Sequence, residues 1–361
     1  MSNANPTVES IVYRYFIKYY RLNGAIPYAY CNVNSNQLNI YIDLYGLYRT
    51  IYSRSFRTNI TDYVSFTSCI VNMCAHYRAF FKRMGVYTKI FLISSFNTPS
   101  SILSTIPDYN KTMVEKRQNQ VIAEMMSFNF DLLKIISPYL PDIFFLETEF
   151  ESSVLMYELM TRESNVPNLI ISTDLYPLQL CTLFDNTSYI WPMRVFSNDE
   201  FEDISPICPP RDHSEHALSF SYITQRKNGK TTSERLGGGV IPSNYMLLEA
   251  LNQFKERDLK LLTNVKSATH IINDTPGALE NKLHPYDIFG LLQEKLGAND
   301  PDITTKVLTR YHALDVEYQH SIYKESLECT TLHYDNLTDP DALNLINEKY
   351  FKNNPLDLLR L

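Results

Sequence analysis

Along residues 38–195 the apolar positions fall into two alternating kinds of block. Short continuous runs occur at Leu38–Leu44 (LNIYIDL), Tyr87–Ile93 (YTKIFLI), Asp142–Leu146 (DIFFL), Leu169–Ile171 and Ser188–Val195. Their length and their β-branched and aromatic content are those of strands covered on both faces. Between them lie longer stretches of helical spacing: about 62–84, Lys111–Ile136 closed by Pro138 and Pro141, and Glu149–Met160. Five such alternations predict an α/β fold, a parallel sheet sandwiched by helices. Ahead of this block, residues 8–22 read as an amphipathic helix with Arg14, Lys18 and Arg21 on one face, ended by Gly24 and Pro27.

Beyond residue 195 the pattern changes. Asn198–Glu215 is acidic and Pro-rich and reads as a linker or surface loop. Leu218–Leu236 reads as a hairpin turning at Asn228-Gly229, and Gly237–Gly239 as a hinge before a helix over Pro242–Lys255. Residues 280–361 read as mixed helices that end in a short apolar tail, PLDLLRL, suited to docking on a partner or on the chain's own core. No internal repeat is present. The expected division is an α/β core over 1–200 and a C-terminal hairpin and helical region over 201–361.

Composition sharpens this picture in two ways. The hydrophobic fraction, 44%, is ample for a core, and charged residues at 20% argue against disorder. Only 10 Gly stand against 26 Tyr and 19 Phe, the usage of an AT-rich genome such as that of a large virus or phage. The six Cys are scattered without a framework, which fits a reducing, intracellular setting, and Cys69 and Cys74 read as buried thiols. No basic-then-apolar leader and no run of ~18 apolar residues is found, so the expectation is a soluble protein with no membrane partner, in the host cytoplasm if viral.

Charge is unevenly placed within the net of −7. Residues 1–100 hold ten Lys/Arg and three Asp/Glu, a net of +7, while residues 101–200 hold six and fourteen, a net of −8. Cations for phosphate beside carboxylates for metal are what a nuclease-like site needs, and two solvated faces of an ordinary domain give the same count. At the strand ends stand Asp43, Ser94-Ser95, Glu147 and Ser172-Thr173-Asp174. In open α/β sheets ligands and metals bind at such ends. Asp43 equally has the place of a helix cap, and Glu147, Glu149 and Glu151 equally that of a solvated helix start.

The stretch Val166–Leu180 (VPNLIISTDLYPLQL) resembles the S-G-D-K-D-L-L-Q-L signature of flap endonucleases, the 5′-nucleases and PIN-domain nucleases. Ser172, Asp174, Leu178, Gln179 and Leu180 match it, while Tyr176 stands at the family's second metal-binding Asp. The resemblance extends over residues 38–180. It aligns Asp43 with the family's first strand-end Asp, Tyr109, Lys116 and Arg117 with its Y-x-E-Y-K-A-x-R stretch, and Glu151 with the Glu of G-x-E-A-D-D. It also places Ser94-Ser95, Ser153 and Val154 where the family carries acids. The family's Gly-rich DNA-gripping loop has no counterpart, because Asp258–Ile272 contains no Gly.

What the resemblance implies is a degenerate two-metal site. Asp43, Glu151 and Asp174 would hold one Mg²⁺ or Mn²⁺ ion, with Glu147 or Glu149 as substitutes for lost ligands. The acids required for a second ion are missing. The expected role is then a catalytically degenerate nucleic-acid-binding or assembly subunit of replication or transcription machinery. Arg49, Arg54, Arg57, Lys82, Arg83, Lys116 and Arg117 would contact phosphates of DNA or RNA, and protein partners fit the same role. An active metal-dependent 5′–3′ exonuclease or flap endonuclease is one alternative; a scaffolding protein with no nucleic-acid role is another. Other motifs lead nowhere: Asn228–Thr232 lacks the leading Gly of a phosphate loop, Cys208, His213 and His216 lack zinc spacing, and His76, His270, His284, His312, His320 and His333 stand isolated.

Overall fold

A computed structural model of the chain describes residues 36–47, 63–95, 120–140, 142–172, 176–184 and 186–190. In the C-terminal part it describes 207–208, 225–227, 230–232, 290, 301–328, 341 and 344–345. Five strands run parallel: β1 (Gln37–Asp43), β2 (Tyr87–Ser94), β3 (Ile143–Glu147), β4 (Asn168–Ile171) and β5 (Thr187–Ile190). A two-residue strand, β6 (Ile207–Cys208), adds antiparallel to β5, so the sheet order is β3-β2-β1-β4-β5-β6. The parallel α/β architecture is the one the hydrophobic blocks predict. β6 is a correction, because it lies inside the stretch expected to be only a loop. A separate antiparallel pair, β7 (Gln225–Lys227) and β8 (Lys230–Thr232), lies within the stretch expected to form a hairpin; Asn228-Gly229 themselves lie outside the described residues.

The helices are α1 (Tyr63–Arg83), α2 (Gln120–Ile136), α3 (Ser152–Arg162), the single-turn α4 (Leu180–Leu183), α5 (Pro301–Leu314) and α6 (Val316–Glu328). The expected helices over 8–22 and 242–255 lie outside the described residues, as does the first part of the one expected from Lys111. Among the described residues no helix is long and apolar enough to cross a membrane.

Both faces of the sheet are covered, which explains why β1, β2 and β4 are apolar without alternation. On one face Tyr41, Phe91, Ile93, Leu146 and Ile170 pack with Leu155, Leu159 and Met160 of α3 and with Val316 and Leu327 of α6. Tyr41 stacks on Phe91 at 5.0 Å and Phe91 on Phe144 at 5.2 Å, an aromatic row across three strands. Each such ring pair adds roughly 0.5–1.5 kcal/mol beyond its buried area. Burial pushes the Tyr41 hydroxyl far above its ordinary pKa, so it remains neutral. The alternate residues Ile40, Ile42, Ile90, Leu92 and Phe145 face the other side, where Phe130 of α2 meets Phe145. Cys74 of α1 is a buried thiol, its pKa pushed up to about 12 by burial, as expected for a structural cysteine.

β6 extends the sheet, and α6 is packed along α3, so late segments complete the layer that early ones begin.

Candidate functional site at the carboxyl edge of the sheet

The strand order places a topological switch between β1 and β4: the chain moves from β1 outward to β2 and β3, then returns to the other side of β1. Open α/β sheets bind ligands in the crevice outside the strand ends at such a point. β1 ends there in Asp43, and Ser172 follows β4. Ile42 pairs with Ile171, so the next residues, Asp43 and Ser172, are neighbours.

Asp43 is buried and engaged on both oxygens. Ser172 Oγ donates to Oδ2 at 2.8 Å, and Gly46 N lies 3.4 Å from Oδ1. The second contact is the cap that the sequence left as one reading of Asp43; it holds the helical turn at 44–47. Asp174 lies outside the described residues. Ser94 is fully buried and its hydroxyl has no hydrogen-bond partner among the described residues. Asp43 pairs with Ile93, so strand alternation turns Ser94 to the opposite face. Its orphaned hydroxyl therefore does not replace a carboxylate beside Asp43.

The three glutamates separate. Glu147 pairs with Ser94 in register, shares its face, and forms an ion pair with Lys134 of α2. Glu149 is exposed. Glu151 precedes α3, and its carbonyl accepts from Val154 N at 2.9 Å while its side chain makes no capping bond. The helix begins at Ser152 and not at Glu149 as expected. Glu151 shares a small cavity with Ser153, Val154 and Tyr176 on one side and Ala313, Leu314, Val316 and Gln319 on the other.

That cavity is roofed by the corner between α5 and α6. Gln179 Nε2 donates to Leu314 O at 3.0 Å, and Val316 N donates to Gln179 Oε1 at 3.2 Å. One buried amide thus satisfies a carbonyl at the end of α5 and an N–H at the start of α6, two groups the helices cannot satisfy themselves. Asp315 completes the corner by accepting from Tyr318 N at 2.9 Å. Further along α6, His320 Nε2 lies 2.6 Å from Glu158 Oε2, and Arg162 Nε donates to Glu158 Oε1 at 2.6 Å. Arg162 also donates to Leu327 O at 2.9 Å. Burial alone would raise the Glu158 pKa; the bonds from His320 and Arg162 outweigh it and hold the carboxyl below its ordinary value. His320 is therefore not isolated, as its sequence neighbourhood implies. Its partner is 162 positions away. Gln179 was visible as a signature match, whereas nothing local marks Glu158 or His320.

The basic candidates also divide. Lys82 and Arg83 end α1, close before Tyr87 opens β2, and so lie at the amino edge of the sheet. An eight-residue strand spans roughly 26 Å, which separates them from the carboxyl-edge crevice by about that length. Arg49, Arg54, Arg57, Lys116 and Arg117 lie outside the described residues.

Two Mg²⁺ or Mn²⁺ ions would need a shell of oxygen donors, mostly carboxylate and water. Among the described residues no three Asp, Glu, His or Cys side chains come together. The cavity beside Glu151 offers one carboxylate, and Val154, Ala313, Leu314 and Val316 make half of its lining apolar. The described donors do not fit a two-metal centre.

No protein-family model matches the chain, and no curated protein matches it. Solved structures similar to it include bacteriophage T5 5′-exonuclease with bound zinc, at 12% identity and TM-score 0.39, covering 90% of this chain and 98% of that one. Also similar is a variant flap endonuclease of bacteriophage T5 in a pseudo-enzyme–product complex with DNA and metal ions, at 13% identity and TM-score 0.40, covering 90% and 100%. A third is the catalytic core of Rad2 in complex with DNA substrate, at 10% identity and TM-score 0.35, covering 95% and 96%.

Proposed function

We propose that this chain is a 5′-nuclease-like protein that binds nucleic acid without two-metal phosphodiester hydrolysis, and that it serves as a binding or assembly subunit. The observation that carries the reading is the lining of the carboxyl-edge cavity. Where a two-metal enzyme needs a cluster of carboxylates, this crevice has Glu151 among Ser153, Val154 and Tyr176, under an apolar roof of Ala313, Leu314 and Val316. Asp43 is meanwhile committed to Ser172 and to the turn at Gly46. A metal, if held, would be one Mg²⁺ or Mn²⁺ on Asp43, Asp174 and Glu151, with Glu147 and Glu149 too far engaged or exposed to be its first choices. Bound there, it would supply charge neutralisation for a nearby phosphate.

In this account nucleic acid is held by charge. Arg49, Arg54, Arg57, Lys116 and Arg117 contact the phosphate backbone, and Lys82 and Arg83 add contacts at the amino edge. Such binding is independent of sequence and weakens steeply with salt, because each neutralised phosphate releases condensed counterions. The test is fluorescence anisotropy on flapped, duplex and single-stranded oligonucleotides between roughly 50 and 200 mM salt. Binding that falls steeply with salt and survives Asp174→Ala supports the reading. Salt-insensitive binding, or none to any of the three, refutes it.

A further inference from the structure

The amino edge of the sheet carries a group of side chains that neither the core nor the crevice uses. The sequence Lys82-Arg83-Met84-Gly85-Val86-Tyr87 ends α1 and opens β2 in one tight turn. Gly85, at φ 77, permits it: Gly85 N donates to Lys82 O and Val86 N to Phe81 O, each at 3.0 Å. The turn leaves Met84 46% and Tyr87 48% exposed, next in sequence to the two cations that close the helix. Single exposed aromatics are common on protein surfaces, but this one is held. Its hydroxyl donates to Asp142 Oδ1, and Asp142 itself has a left-handed backbone, φ 64, with its carbonyl accepting from Ile90 N at 2.8 Å. Few residues other than glycine adopt that conformation. Partial burial, and then the bond to Asp142, push the Tyr87 hydroxyl up to about 12, so it stays neutral beside a phosphate. The carboxylates that act on it, Asp142 and Glu163, face Arg78 at 3.8 Å and Lys89 at 2.6 Å. Neither leaves the edge negative, and Lys82 and Arg83 add positive charge to it.

We propose that this edge is a stacking platform for single-stranded nucleic acid, in which one unpaired base lies on the Tyr87 ring against Met84 and the flanking phosphates meet Lys82 and Arg83. The inference rests on the reading above and deepens it, since it assigns strandedness to the amino-edge contact. An unpaired base of any identity offers a π-face to an aromatic ring. In a duplex those faces are covered by neighbouring bases, so only the phosphate contacts remain there. A ring already tied by its hydroxyl gives up little freedom when a base stacks on it. A polyanion is the partner whose charge suits the two cations, and its bases are the part that suits the ring and the thioether.

The test uses the full chain and a thymidine oligonucleotide carrying one 2-aminopurine, offered as a single strand and as a matched duplex. Fluorescence intensity reads stacking and anisotropy reads affinity. The wild-type chain should quench the 2-aminopurine of the single strand. Tyr87→Ala should abolish that quenching and weaken single-strand binding about ten-fold, with duplex affinity unchanged. Tyr87→Phe keeps the ring and loses only the bond to Asp142, so it should retain the quenching and most of the affinity, a rescue that a merely structural role of the ring's hydroxyl would not give. Quenching and single-strand affinity that survive Tyr87→Ala overturn the proposal while leaving the charge-based reading in place. Equal weakening on the duplex, or no rescue by Tyr87→Phe, also overturns it. No binding of either oligonucleotide by the wild-type chain overturns both.

Discussion

The Glu158–His320 pair makes a quantitative prediction. Glu158 is 5% exposed and accepts two charge-assisted bonds of 2.6 Å, one from His320 and one from Arg162. Glu158→Ala leaves both partners without their anion, and breaking a buried pair in this way costs about 3–5 kcal/mol. His320→Ala is milder because Arg162 still holds Glu158. It removes one hydrogen bond to a charged group, worth roughly 1.5–3 kcal/mol. It also removes the ring contact with Tyr157 at 4.7 Å, worth roughly 0.5–1.5 kcal/mol. The two variants share one interaction, so their effects are not additive, and a double-mutant cycle in urea at pH 7 should give a coupling of about 1.5–3 kcal/mol. The pH sign follows from the lowered Glu158 pKa: its contribution is present above the ordinary carboxylate value and lost as pH falls through the folded one. The coupling should therefore persist at neutral pH and disappear under strongly acid conditions. A coupling below about 0.5 kcal/mol at pH 7 falls outside the range expected for a hydrogen bond to a buried carboxylate and would refute the reasoning.

Other outcomes follow from the same geometry. Gln179→Leu strands Leu314 O and Val316 N, each costing about 1–3 kcal/mol, so urea unfolding should show a loss of about 2–6 kcal/mol; a neutral result would mean the corner re-forms without it. Glu317 has its pKa raised, first by partial burial and then by Asp315, so its charge is disfavoured in the folded chain. Glu317→Gln should therefore stabilise the protein at pH 7 and lose that benefit as pH drops below the ordinary carboxylate value; destabilisation at pH 7 would contradict this. Neutralising Lys82 and Arg83 together should reduce the slope of log binding constant against log salt by about 1.8, at roughly 0.9 per phosphate contact, and an unchanged slope would remove the amino edge from the interface.

The fold was legible where burial on both sheet faces makes a strand continuously apolar. LNIYIDL and YTKIFLI announce β1 and β2 within a residue of their ends. β6 was not legible, because two residues at a sheet edge, Ile207 and Cys208, carry no periodicity in a Pro-rich stretch. The site was legible only in part. Asp43 and Ser172 meet because two buried strands pair in register, which a strand reading anticipates. That Glu147 turns away from Asp43 depends on pairing phase, and one residue of phase exchanges the faces. The roof over Glu151 depends on a contact between residues about 160 apart, and no local pattern encodes it. His320 reads as a lone histidine in sequence and becomes one end of a buried hydrogen bond to Glu158 only when α6 lies along α3.

What is proposed is that the chain binds nucleic acid without two-metal hydrolysis at its carboxyl edge. The most direct measurement is a calorimetric titration of the purified protein with Mn²⁺, followed by incubation of the same sample with a flapped DNA duplex. The account predicts at most one bound ion and an uncut duplex. Two ions bound per chain, with cleavage that disappears in Asp43→Ala and Asp174→Ala, would contradict it and establish a working nuclease.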